Sequence, residues 1–114
     1  MHEASIVLSL LDTLTARCRE EGYGSIESVR LKIGMASGIL PEAIVFAFEA
    51  AKNDTIARDA ELVIDLVPLG GTCNECGKDF EVTEAYVLSC PLCGSPSFRI
   101  SKGYELDVVE MDVK

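Results

Sequence analysis

Cys73-Asn74-Glu75-Cys76, then thirteen residues, then Cys90-Pro91-Leu92-Cys93: these two pairs decide how the second half of the 114-residue chain must fold. Two residues between cysteines let one tight turn aim both sulfurs at a single ion. Two such turns facing each other complete a tetrahedron at Zn–S distances of about 2.3 Å. Gly77 and Gly94 follow the pairs directly, where each turn has to leave the site. Thiolates are soft ligands that select Zn²⁺ or iron over hard cations, so a rubredoxin-like iron site is the rival occupant. Four cysteines fill the tetrahedron and leave no position for water, which makes the expected role structural. Large apolar residues are few between Gly70 and Ser101, so the metal must supply much of the folding free energy there. The intervening Asp79 to Val87 is expected to reverse the chain as a short hairpin.

Working outward, the residues before this module alternate. Leu62, Ile64 and Leu66 share one parity in a strand that Pro68 and Gly70-Gly71 are expected to end. Earlier, Val29, Leu31 and Ile33 alternate with Arg30 and Lys32, the period of a half-buried strand. Between them Pro41 suits the first turn of a helix, whose apolar face is Ile44, Val45, Phe48 and Ala51 and whose end falls near Asn53-Asp54. Strand, helix and strand in this order suggest a right-handed crossover and two parallel strands. At the start, Ile6, Val7, Leu10, Leu11, Leu14 and Cys18 recur at spacings of three and four, predicting a helix over residues 4–21 that Gly22 closes. Cys18 lies on its buried stripe and is read as a structural thiol. A last strand spans Tyr104 to Val113 with a change of phase near Val108-Val109. The expected architecture is therefore α+β, two helices packed on a small mixed three-stranded sheet. The four-cysteine zinc-ribbon-like module is inserted in it. Residues 1–69 plus 103–114 form the main domain and residues 70–102 the module.

Bulk composition narrows the function. A hydrophobic fraction of 48% and a charged fraction of 25% are those of a globular protein. No apolar run approaches the roughly 20 residues a bilayer span needs, and Met1 to Glu3 lack the basic start of a secretory signal, so a cytoplasmic protein without membrane insertion is expected. The formal net charge of -9 repels phosphate backbones. The module itself carries Lys78 and Arg99 against Glu75, Asp79, Glu81 and Glu84, so nucleic acid is not the expected partner and protein is.

The one histidine is His2, beside Glu3. By type and position alone it reads as an exposed terminal residue with no task. Yet an imidazole, adjacent backbone nitrogens, a free amine and a carboxylate within three residues can reach one ion, and such donors suit Ni²⁺ or Cu²⁺. With one histidine and a saturated thiolate site, no catalytic centre is read.

Together these residues resemble a known family. Met1-His2-Glu3 opening an amphipathic helix, Arg30-Leu31-Lys32-Ile33-Gly34 running through Ser37-Gly38 to Pro41-Glu42-Ala43, Phe46-Ala47-Phe48-Glu49, and the two cysteine pairs are similar to the HypA/HybF hydrogenase nickel-incorporation proteins over essentially the whole chain. The resemblance implies a nickel metallochaperone, not an enzyme. Ni(II) would be its transported cargo, bound at His2 and less firmly at Glu3, with Met1 open as a further donor. Zn(II) would be structural at Cys73, Cys76, Cys90 and Cys93. The implied partners are a nickel-handling GTPase of the maturation pathway and the [NiFe] hydrogenase large subunit, and self-association into a homodimer stays open. Ala4 stands where many members have methionine, and neither knuckle has the neighbouring histidines that some members carry. The competing reading is a zinc-ribbon adaptor that binds partners without carrying nickel.

Overall fold

The computed structural model describes residues 3–114. Along the chain run α1 (Glu3–Glu21), β1 (Ile26–Gly34), α2 (Pro41–Ala51), β2 (Glu61–Val67), β3 (Leu69–Cys73), β4 (Asp79–Val82), β5 (Phe98–Lys102) and β6 (Leu106–Val113). The strands form two three-stranded sheets, ordered β2-β1-β6 and β4-β3-β5. The expected α+β class with two helices and a ribbon-like cysteine module is the one observed. The chain divides into two compact units. One takes residues up to Leu31, Leu40–Ile64 and Val108–Lys114, the other Lys32–Ile39 and Asp65–Asp107.

In the first unit α1 buries Val7, Leu11, Leu14 and Cys18, spaced by four, three and four so that they lie along one stripe. Gly22, at φ 84°, ends the helix by a Schellman arrangement. The Tyr23 amide donates to the Cys18 carbonyl at 2.8 Å and the Gly22 amide to that of Arg19 at 3.3 Å. Two carbonyls that the last turn leaves open are thereby satisfied. Helix α2 starts without a side-chain cap: Leu40 is extended, and Pro41 supplies a first-turn residue with no amide to satisfy. Its Ile44 and Phe48 are fully buried and join Ile26, Val29 and Leu31 of β1 in the core. Lys52, at the α2 C-cap, holds the helix end by donating to the Ala60 carbonyl and the Glu49 carboxylate, both at 2.9 Å. The sulfur of Cys18 lies 3.9 Å from that of Met111 on β6, so the fifth cysteine is a buried core thiol as its stripe implied.

The second unit departs from expectation in three places. Gly70-Gly71 do not end a strand. They lie within β3, fully covered, where the main chains of β4 and β5 close on both sides. Antiparallel β3 and β4 pair Gly71 with Phe80 and Thr72 with Asp79, so the hairpin turns through the first cysteine knuckle and not through residues 79–87. After β4 the chain has no regular structure until β5, and β5 itself was absent from the sequence reading. The cluster around the cysteines is small: Cys73, Phe80 and Cys90 are buried, with Cys76, Val82, Val87, Phe98 and Ile100 packed against them. Phe80 and Phe98 meet edge to face at 5.8 Å, which favours the ring quadrupoles.

Candidate metal centre

The first knuckle is built by its own backbone. After Cys73 the chain turns so that the Glu75 and Cys76 amides both point at the Cys73 sulfur, each at 3.4 Å, and the Gly77 amide reaches back to the Cys73 carbonyl at 3.1 Å. The second knuckle repeats this: the Leu92 amide donates to the Cys90 sulfur at 3.4 Å, and the Gly94 amide to the Cys90 carbonyl at 2.8 Å. Gly77 and Gly94 occupy the same position in the two turns and take nearly the same left-handed φ, 71° and 80°. That conformation is open to glycine at no steric cost, which is why each pair needs a glycine next.

The two knuckles bring all four sulfurs within 4.8 Å of one another. Cys73 and Cys93 stand 3.5 Å apart and Cys76 and Cys90 3.9 Å apart. A regular tetrahedron with metal–sulfur distances of about 2.3 Å has sulfurs about 3.8 Å apart, so the residues fit a tetrahedral thiolate-bound ion. Cys73 and Cys90 are buried, Cys76 half-buried and Cys93 exposed.

Ligation requires thiolates, and the backbone prepares at least one. The Cys76 amide, helped by the Glu75 amide and the neighbouring sulfurs, holds Cys73 down to about 6 against the opposing cost of burial. For Cys93 the Ser95 amide acts in the same direction. The Cys73 sulfur, desolvation and the other two sulfurs outweigh it and push Cys93 up to about 12. Four sulfurs this close cannot all shed protons without a compensating cation. A divalent ion supplies that compensation and cross-links the two knuckles when bound.

Ser95 and Ser97 belong to the site's frame, although the sequence reading passed over them. The Ser95 carbonyl accepts the Cys90 amide at 2.7 Å, and its hydroxyl accepts the Ser97 amide at 3.1 Å. Ser97 in turn receives the Asn74 amide on its carbonyl at 3.0 Å, tying the second knuckle's exit to the first knuckle. The signal available was the run Gly94-Ser95-Pro96-Ser97, whose small polar residues serve turn hydrogen bonds.

Of the residues expected at the amino-terminal site, Glu3 is the first residue of α1 and half-buried. His2 and Met1 lie outside the described residues. Among the described residues the four cysteines form the one group of metal-binding side chains brought together, and no helix is long and apolar enough to cross a membrane.

The comparison with known proteins agrees with this geometry. The family model described as "Hydrogenase/urease nickel incorporation, metallochaperone, hypA" matches residues 1–113. The hydrogenase maturation factor HypA of Chlorobium luteolum is 45% identical over 105 residues, covering 92% of this chain and 89% of the relative. That of Geobacter metallireducens is 42% identical over 115 residues and covers both chains completely. Among solved structures, the Ni metallochaperone HypA from Helicobacter pylori superposes with a TM-score of 0.68 at 26% identity, covering 99% of this chain and 97% of that one. A match that runs nearly end to end, in sequence and in fold, places this chain in the HypA family of hydrogenase/urease nickel-incorporation metallochaperones.

Proposed function

We propose that this chain carries Ni²⁺ in the cytoplasm and helps insert it into the large subunit of a [NiFe] hydrogenase, acting with a nickel-handling GTPase. The observation that carries this reading is the family match from the first residue onward, which includes Met1-His2-Glu3. Nickel is cargo in this account. The His2 ring and adjacent backbone nitrogens provide donors of the kind Ni²⁺ prefers, and Glu3, the next residue in sequence, stands in the first turn of α1. Few protein ligands leave coordination positions for an incoming group, as a carrier must. The nitrogen donors bind only when deprotonated, so affinity weakens as pH falls through the imidazole reference value of about 6.5.

Cys73, Cys76, Cys90 and Cys93 hold structural zinc in the same reading, and the closed four-thiolate set supports support over catalysis. The corresponding division of labour gives nickel to residues 1–69 plus 103–114 and zinc to residues 70–102. Native mass spectrometry with added Ni²⁺, on protein with an unmodified Met1, tests the proposal. One nickel and one zinc per wild-type chain are expected, and zinc alone in His2→Ala. Unchanged nickel affinity and stoichiometry in His2→Ala removes the terminal site.

A further inference from the structure

The four sulfurs of the metal centre are not equally accessible. Cys73 and Cys90 are buried and Cys76 is half-buried, whereas Cys93 is exposed, as are Pro91, Leu92 and Gly94 beside it. Susceptibility to oxidation follows thiolate character and exposure, so a dissolved oxidant meets the Cys93 sulfur first. Ligation to a divalent ion keeps that sulfur a thiolate, the form that attacks.

The partner is set by what lies behind Cys93. The buried Cys73 sulfur stands 3.5 Å away, across the gap between the two knuckles. Oxygen delivered from solvent is placed on the outer side of the Cys93 sulfur, and a thiolate displaces it from the opposite side, where the buried sulfurs lie. Closing 3.5 Å to a disulfide bond of about 2.05 Å takes a movement of about 1.5 Å. The remaining sulfurs, Cys76 and Cys90, are 3.9 Å apart and also span the knuckles.

We propose that Cys93 is a peroxide-reactive modification site and that Cys73 resolves it, so that oxidation exchanges the ion between the knuckles for a disulfide between them. This rests on the reading of the four cysteines as a thiolate-bound zinc site. The Cys93 thiolate attacks hydrogen peroxide: an S–O bond forms, the O–O bond breaks, hydroxide leaves, and the sulfur gives up two electrons to the peroxide. The Cys73 thiolate then attacks the sulfenic sulfur: the S–S bond forms, the S–O bond breaks, and a second hydroxide leaves. Two thiolates and one peroxide thus give one disulfide and two hydroxides. Only Cys76 and Cys90 remain as thiolates, too few to close a tetrahedral site, and the ion is released. The new cross-link joins the end of β3 to the second knuckle and constrains the chain where the ion did. A thiol reductant reverses it.

The test adds equimolar hydrogen peroxide to full-length, zinc-loaded chain. Zinc release is followed with a chromophoric chelator, and disulfides are mapped by mass spectrometry of a non-reducing digest. Zinc should be released with Cys73–Cys93 as the main disulfide, and dithiothreitol with added Zn²⁺ should restore the loaded chain. Dimedone present during the reaction should label Cys93 ahead of the other cysteines and leave the buried Cys18 unlabelled. Hydrogen exchange should show more protection at Leu69–Cys73 in the oxidised chain than in the chelated, reduced one, because the disulfide still joins the knuckles. Cys93→His keeps a fourth zinc ligand and should slow peroxide-driven release about 10-fold or more, whereas Cys76→His leaves the reacting pair in place and should release zinc within about 2-fold of wild type. The wild-type disulfide map decides the matter whether or not either variant loads zinc. A main disulfide within one knuckle, first labelling at Cys76, or zinc release without a disulfide overturns the proposal. Zinc counted before peroxide separates the two readings: a chain that holds zinc and keeps it under peroxide overturns the modification alone, whereas one that holds no zinc overturns the thiolate-site reading as well.

Discussion

Gly71 of β3 lies against Arg99 of β5 so closely that a Cβ at position 71 would overlap the Arg99 carbonyl oxygen. Both partners are main chain, so neither can rotate away, and β3 sits between β4 and β5 with no free side toward which to move. Gly71→Ala should therefore destabilise the second unit by about 3 kcal/mol, the upper part of the range for overpacking. Gly24→Ala, whose Cβ meets nothing, should stay within about 0.5 kcal/mol of wild type. Denaturant unfolding of the two variants checks both; equal midpoints would show that β3 and β5 are less closely apposed.

Removal of the ion held by the four cysteines should act unequally on the chain. The second unit has three buried side chains in its core cluster, two of them metal-site cysteines, so little remains to hold β3, β4 and β5 when the knuckles separate. The first unit has its own core of α1, β1 and α2 residues. Hydrogen exchange after chelation is expected to show loss of protection at Leu69–Cys73 and Phe98–Lys102 with much smaller change in α1. A uniform loss across the chain would mean that the thiolate site supports the entire fold.

Much of this arrangement was legible beforehand, for physical reasons that also mark where legibility stopped. The α1 stripe and the alternation in β1 record burial on one face, and burial leaves a periodic trace. The cysteine spacing records ligand geometry, which leaves an even stronger one. Strand β3 left none, because Leu69-Gly70-Gly71 is covered by backbone on both sides and glycine there answers a steric demand, which looks in sequence like a turn. Strand β5 was missed because Phe98 and Ile100 turn toward a core too small to impose a longer pattern. His2 and Glu3 stood out by donor chemistry and family resemblance, since three residues offer no periodicity to read.

Cys18 gives a pH-dependent prediction. Burial pushes its thiol up from the ordinary value, so on raising the pH the unfolded chain loses this proton first, near 8.5, while the folded chain keeps it. The folded state then binds more protons than the unfolded state and stability falls. The contribution is complete below the unfolded value and is lost as pH rises through the folded one. Cys18→Ala should lose this part of the alkaline decline, seen as a smaller drop in unfolding free energy than wild type between pH 8 and 10. Alkylation by iodoacetamide should also be much slower at Cys18 in native protein than in urea; comparable rates would contradict the buried contact with Met111.

The two knuckle glycines provide a test of how far backbone geometry sets metal affinity. Gly77 and Gly94 adopt left-handed φ, yet a Cβ at either would meet no neighbouring atom, so substitution there changes conformational cost without changing packing. An alanine in this conformation costs about 1–2 kcal/mol. The metal-bound state must keep the turn, whereas the metal-free chain can relax it, so the cost falls on binding. Gly77→Ala and Gly94→Ala should each weaken zinc about 10-fold in competition with a chromophoric chelator, and the double variant about 100-fold, because the two turns are separate. If instead only one glycine matters, the knuckles are not equivalent, and the repeat of amide-to-sulfur and amide-to-carbonyl bonds between them does not extend to their energetics.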